Sequence, residues 1–179
     1  GSARSAASAS AVVCPPYDVI NAGQLKNLRQ KSPYNFSWAL LADKGNYQKA
    51  ASRIKHWLKK HVLVDDCKDS LYLYEQIFKI GGKSFRRFGI LSLLRMDRKG
   101  IFPHEHTLSA PKIDRKKMIA AAKANLSPVF VIATERLVQL EKTYKRLRKR
   151  KPFLKCLDLD ANSNRLWKIS GKNEIAKIS

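Results

Sequence analysis

Apolar residues recur at three- and four-residue spacing through NYQKAASRIKHWLKKHVLV. Tyr47, Ala50, Ala51, Ile54, Trp57 and Leu58 share one face, while lysines and arginines fill the other, which predicts the clearest helix of the chain. ERLVQLEKTYKRLRKRK repeats the pattern with Leu137, Leu140, Tyr144 and Leu147. NAGQLKNLRQK predicts a shorter helix, capped by Asn21, with Leu25 and Leu28 on one side. RKKMIAAAKANL is helical up to Ser127-Pro128. The period then changes. SLYLYEQIFKI and SFRRFGILSLLRMD are rich in β-branched and aromatic residues and flank Gly81-Gly82, a β-hairpin signal. FLKCLDLDANSNRLWKIS predicts a second hairpin, turning at Ala161-Asn162-Ser163-Asn164. SPYNFSWALL reads as a turn into a strand, and SPVFVIAT as a short buried strand. Pro15 and Pro16 stop any strand begun at VVC. GKNEIAKIS begins a further helix.

Mixed elements with frequent hairpins favour an α+β fold: a largely antiparallel sheet with three or four flanking helices. Residues 1–10, small and polar, read as a flexible N-terminal arm, and 11–179 as a single α+β domain.

No stretch approaches the roughly 20 apolar residues that span a bilayer, so no membrane partner is expected. GSARSAASAS lacks the apolar core of a signal peptide. Cys14, Cys67 and Cys156 are odd in number and form no CxxC pair, which disfavours a disulfide framework and suits a reducing, cytoplasmic setting. Charge changes the picture most. With 36 Lys+Arg against 14 Asp+Glu, the net charge is +22, a field that attracts polyanions. A merely lysine-rich surface composition gives the same count.

The densest polar chemistry lies in IFPHEHTLSAPKIDRKK, residues 101–117. His104-Glu105-His106 is not HExxH. In an extended segment the two histidines project to one side, but zinc needs further ligands, and Asp97 and Asp114 qualify by type only. Glu105 is a candidate general base. Spacing alone equally describes a polar loop. Lys112, Asp114 and Arg115 sit at a helix start, where Asp114 is a candidate cap and backbone N–H groups can hold phosphate. No Walker loop or kinase glycine loop occurs. Lys142, Lys145, Arg146, Arg148, Lys149, Arg150, Lys151 and Lys155 form a run with no acid, backed by an apolar stripe. Such a helix face contacts successive phosphates of nucleic acid or stands solvated. In PPYDV, Asp18 follows Tyr17 in a rigid turn that is either structural or the edge of a pocket.

VVCPPYDVI, SPYNF, FPHEHT, APKIDR, NLSPVF and RLWKI occur in one order. In these motifs the chain resembles the N-terminal half of the domain-of-unknown-function 1015 family, over about residues 11 to 179. Members are often labelled as similar to the ParB/SpoOJ group, whose folds include nucleotide-binding switches and a free-serine kinase. The resemblance therefore implies a nucleotide or phosphorylated small-molecule ligand and kinase-like phosphotransfer. It places His104, Glu105 and Thr107 in the site, with Lys112, Asp114 and Arg115 flanking it and Asp18 and Asn125 approaching. Glu105 is then the base, His104 and Lys112 contact phosphate, and Mg²⁺ accompanies ADP or ATP. Family members usually continue into a D-G-H-H-R motif that this chain stops short of. On that expectation the site is inactive as it stands, or a partner chain or homo-oligomer completes it. The alternative is a non-enzymatic protein that binds RNA or a ribonucleoprotein through its basic helix.

Overall fold

Gly81 and Gly82 both adopt positive φ (55° and 78°), the backbone of a two-residue hairpin turn that matches strand twist. They join Leu71–Ile80 (β1) to Lys83–Leu91 (β2). The second hairpin links Leu154–Leu157 (β3) to Ser163–Ile169 (β4). Its turn is built on one carboxylate. Asp158 Oδ1 accepts from the N–H groups of Asp160 (3.0 Å) and Asn162 (2.9 Å), and Oδ2 accepts from the side-chain amides of Asn162 (3.1 Å) and Gln76 (3.2 Å). β1 pairs antiparallel with β4, so the sheet has the order β2-β1-β4-β3 and is antiparallel throughout. The computed structural model describes residues 6–41, 45–95, 100–102 and 108–178, with side chains from residue 9 onward.

The helices are Ala6–Val12 (α1), Ala22–Lys31 (α2), Ser37–Leu40 (α3), Tyr47–Lys59 (α4), Ser109–Ala122 (α5), Val138–Leu147 (α6) and Lys172–Ile175 (α7). Four of them run to ten residues or more, in keeping with the expected three or four flanking helices and an α+β fold. Asn21 caps α2 in a capping box with Gln24, as its sequence signals.

Two hydrophobic cores form. On one face of the sheet, Leu140, Tyr144 and Leu147 of α6 pack on Leu73, Trp167 and Ile169. The polar exception there is Glu75, which is buried. It accepts from the Tyr144 hydroxyl and pairs with Arg86 and Arg165, each at 3.2 Å. The Phe88 ring stacks on Tyr144 at 4.3 Å. The second core joins Ala39 of α3 to Ile54 and Trp57 of α4, with Ala122 and Leu126 packed against them.

Three expectations change. SPYNFSWALL turns as expected, but continues into α3 instead of a strand. Ser37 N–H donates to the Asn35 side chain (3.1 Å) and Asn35 N–H to Ser32 O (3.1 Å), so the turn's polar groups steer the backbone into a helix. SPVFVIAT is neither strand nor buried: Val129, Phe130, Val131 and Ile132 are 56–79% exposed. Apolar content made it a strand candidate, but no neighbouring strand pairs with it among the described residues. Finally, helical backbone begins inside the expected N-terminal arm, at Ala6. There Ala9 is buried and Leu157 N–H donates to Ser10 Oγ (2.9 Å), which holds α1 against β3.

Candidate functional site

The rigid PPYD turn is anchored from both sides. Asn35, fully buried, donates through Nδ2 to the carbonyls of Ala11 (2.8 Å) and Val13 (3.0 Å). Phe36 N–H donates to Val12 O (2.7 Å). Pro15 and Pro16 each hold their own φ fixed, and Val19 N–H closes the turn on Pro16 O (3.3 Å). Tyr17 is thereby presented to α5, where the Arg115 guanidinium lies over its ring at 3.9 Å.

Arg115 is engaged on every side. Nε donates to Asp114 Oδ2 (2.9 Å), one terminal nitrogen donates to the same oxygen, and the other donates to Leu40 O (3.3 Å). The remaining oxygen, Asp114 Oδ1, accepts from the Tyr47 hydroxyl at 2.7 Å. Tyr17, Tyr47, Asp114 and Arg115 thus come from three distant segments into one cluster. Partial burial pushes the Asp114 carboxyl up. The hydrogen bonds from Tyr47 and Arg115, with the charges of Arg115 and Lys117, outweigh it and hold the group below the usual carboxylate range. The Tyr47 phenol is raised, chiefly by its bond to Asp114. Beside the cluster, Asn46, which caps α4, with Tyr47 and Gln48 of α4 and Lys117 and Ala120 of α5, lines an open hollow of about 380 Å³.

The expected site residues divide. His104, Glu105, His106 and Thr107 lie outside the described residues, as does Asp97; the description resumes at Leu108, immediately before α5. Lys112 is exposed in the first turn of α5, and Asp18 is exposed beside Tyr17. Asp114 is not the helix cap. The helix starts at Ser109, so Leu108 holds the cap position without a side-chain bond and Asp114 falls in the second turn. Pro111 sits in the first turn, where its missing N–H costs nothing. Asn125 does not join the cluster. Eight residues of α5, about 12 Å of rise, separate Asp114 from Ala122. Asn125 follows beyond, exposed, accepting from Ser127 N–H (3.4 Å). Tyr47 and Asn35 are the residues that sequence reasoning missed. Tyr47 was counted on the apolar face, yet a phenol at the start of a helix needs a partner for its hydroxyl.

On the sheet face away from α6, a cleft of about 1430 Å³ opens between the strands and residues 10–19. Tyr74 donates to Asn164 Oδ1 (2.6 Å) at its floor, and Lys31, Lys79 and Arg87 line it. Cys14 and Cys156 also border it; burial pushes the Cys14 thiol up to about 11 and also raises Cys156.

The basic run is not one continuous helix face. Lys142, Lys145 and Arg146 lie on α6, which ends at Leu147. Arg148, Lys149 and Arg150 form the turn that follows, with Lys151 next, and all seven are exposed. The buried Trp167 indole donates to Arg150 O (3.0 Å) and pins this turn to the sheet. Arg146 is paired with Glu174, and Arg148 lies over Tyr144 at 5.6 Å. Among the described residues no three His, Cys, Asp or Glu side chains gather as metal ligands, and no helix is long and apolar enough to cross a membrane.

The profile of one family, described as a protein of unknown function (DUF1015), matches residues 2–179. No curated protein and no solved structure matches.

Proposed function

The chain belongs to the DUF1015 family of proteins of unknown function, and from that premise we propose that it binds a phosphate-bearing small ligand of the nucleotide class where the PPYD turn meets α4 and α5. The observation that carries this reading is the Tyr17–Arg115–Asp114–Tyr47 cluster. It unites motifs almost a hundred positions apart and braces the second turn of the helix that follows residues 103–107.

The division of labour follows from which groups are already engaged. Arg115 spends its donors on Asp114 and Leu40, so it is a brace and not the phosphate ligand. Lys112 and Lys117 make no ion pair among the described residues; they are the cations for the phosphates, with Lys117 at the 380 Å³ hollow. His104 is the further phosphate contact of this reading. If phosphate is transferred, Glu105 takes the proton of the acceptor hydroxyl as its oxygen attacks the terminal phosphorus. The P–O bond to the leaving nucleoside diphosphate breaks, and that oxygen keeps the electron pair. Magnesium neutralises phosphate charge in such chemistry. With no ligand trio among the described residues, it would come bound to the nucleotide, with Asp18 as the exposed carboxylate nearby. This kinase-like, ParB-related chemistry is part of the proposal.

The test is a titration of the chain with ADP and ATP at about 0.15 M salt, with and without Mg²⁺. Saturable binding is expected, weakened by Lys112→Ala and Lys117→Ala. Glu105→Gln is expected to abolish turnover of ATP while the chain stays folded. No saturable binding under any of these conditions overturns the reading.

A second reading has its own observation. The turn 148–151 is basic, exposed and pinned by Trp167, a rigid surface for the phosphates of RNA. Lys145→Glu with Lys149→Glu should weaken RNA binding and flatten its salt dependence, leaving nucleotide binding intact. RNA affinity indifferent to salt rejects it.

A further inference from the structure

The outer edge of β2 and the segment 129–134 are complementary. Among the described residues, β2 sits at the end of the sheet and pairs only with β1, so its nine residues present one unpaired backbone edge there. The segment VFVIAT is made of strand-forming residues, and no backbone hydrogen bond reaches 129–133 among the described residues. Six residues extend about 20 Å and fit within the roughly 30 Å of β2.

Charge says what can pair with that edge. β2 carries Lys83, Arg86 and Arg87, so two β2 edges brought together set like charges opposite one another. Residues 127–134 carry no charge in a chain of 36 Lys+Arg. Phe85 and Phe88, 44% and 39% exposed, offer aromatic partners to Val131 and Ile132 across a new ladder. Within one copy Val129 to Ile132 are exposed, and their flanks are held by Leu126 in the second core and Leu140 over β1 and β4.

We propose that two copies of this chain exchange residues 129–134, each segment adding a strand to the free edge of the other copy's β2. The exchange is reciprocal, so both edges and both segments are used and the assembly closes at two. Because each copy carries +22, repulsion opposes the dimer and salt screens it. Dimerisation therefore strengthens with salt, opposite in sign to phosphate binding by the basic turn. This inference stands apart from the nucleotide reading.

Sedimentation equilibrium tests it, from low salt to about 0.5 M, with reductant present because Cys67 is exposed. The expected mass rises with salt from 20.4 kDa to twice that value. Val131→Pro removes a ladder N–H and Ile132→Lys adds a like charge. Each should weaken the dimer about tenfold or more, equivalent to about 1.4 kcal/mol. Both side chains are exposed in the monomer, so circular dichroism should not change. In wild type, exchange of β2 amides should slow in step with dimer formation. A chain that stays at 20.4 kDa throughout, an open-ended polymer, or a dimer untouched by both substitutions overturns the proposal.

Discussion

Replacing Asn35 with alanine should release the PPYD turn and destabilise the whole domain. The side chain is fully buried and makes three hydrogen bonds: two donated to Ala11 O and Val13 O, one accepted from Ser37 N–H. A net hydrogen bond contributes about 1 kcal/mol, and a buried group left unpaired costs about 1–3 kcal/mol. Asn35→Ala deletes three bonds and strands their partners, of which Ser37 is fully buried. The loss should be about 3–5 kcal/mol, a large share of a stability of about 5–15 kcal/mol. Urea melts followed by circular dichroism measure it. Chymotrypsin supplies a local readout, because Tyr17 becomes cleavable once the segment detaches. Asn35→Asp sharpens the test. It keeps the acceptor for Ser37 but replaces the amide donor with an oxygen facing two carbonyls, so it should be no milder than alanine. A loss under about 1 kcal/mol for Asn35→Ala, or a clearly milder Asn35→Asp, would falsify the claim that this amide clamps the turn.

Three more outcomes follow from the same structure. The Asp114 carboxyl is depressed in the fold, so its stabilising contribution is complete above the unfolded value near 3.9 and is lost as pH falls through the folded value. Asp114→Asn should therefore flatten the acid limb of a stability-versus-pH curve; an unchanged limb refutes the assignment. Alkylation at about pH 8 should modify exposed Cys67 first, with Cys14, pushed to about 11, and Cys156 reacting slowly until urea unfolds the chain. Equal rates for all three thiols contradict that. Tyr144→Phe keeps the stack on Phe88 but takes a donor from buried Glu75 and should cost about 1.5–3 kcal/mol; a neutral result means water replaces the phenol.

Local signals were legible where one stretch of chain contains both the pattern and its partner. Gly81-Gly82 announces the first hairpin, Asn21 with Gln24 announces the start of α2, and the 3–4 spacing from Tyr47 to Leu58 announces α4. SPYNFSWALL misled because an apolar run of this length suits a strand or a helix, and the side-chain bonds of Asn35 decide between them. SPVFVIAT misled because a strand exists only beside another strand, which propensity does not supply. Of the candidate site, the sequence marked Asp18, Lys112, Asp114 and Arg115, and the fold draws the last two to Tyr17. It did not mark Tyr47, because the Tyr47–Asp114 contact spans 67 positions and leaves no local trace.

The strand order also sets a timetable for folding. Each hairpin closes over a few residues, an event of roughly microseconds. The β1–β4 seam is different: it sets Leu73 against Trp167, 94 positions apart, with β2, the helices α5 and α6, and β3 threaded between. Closing so long a loop costs entropy before any contact repays it, and contacts of high sequence separation slow folding. The two hairpins are therefore the units expected to close first, and the seam, across which α6 lays Leu140, Tyr144 and Leu147, is expected to close later.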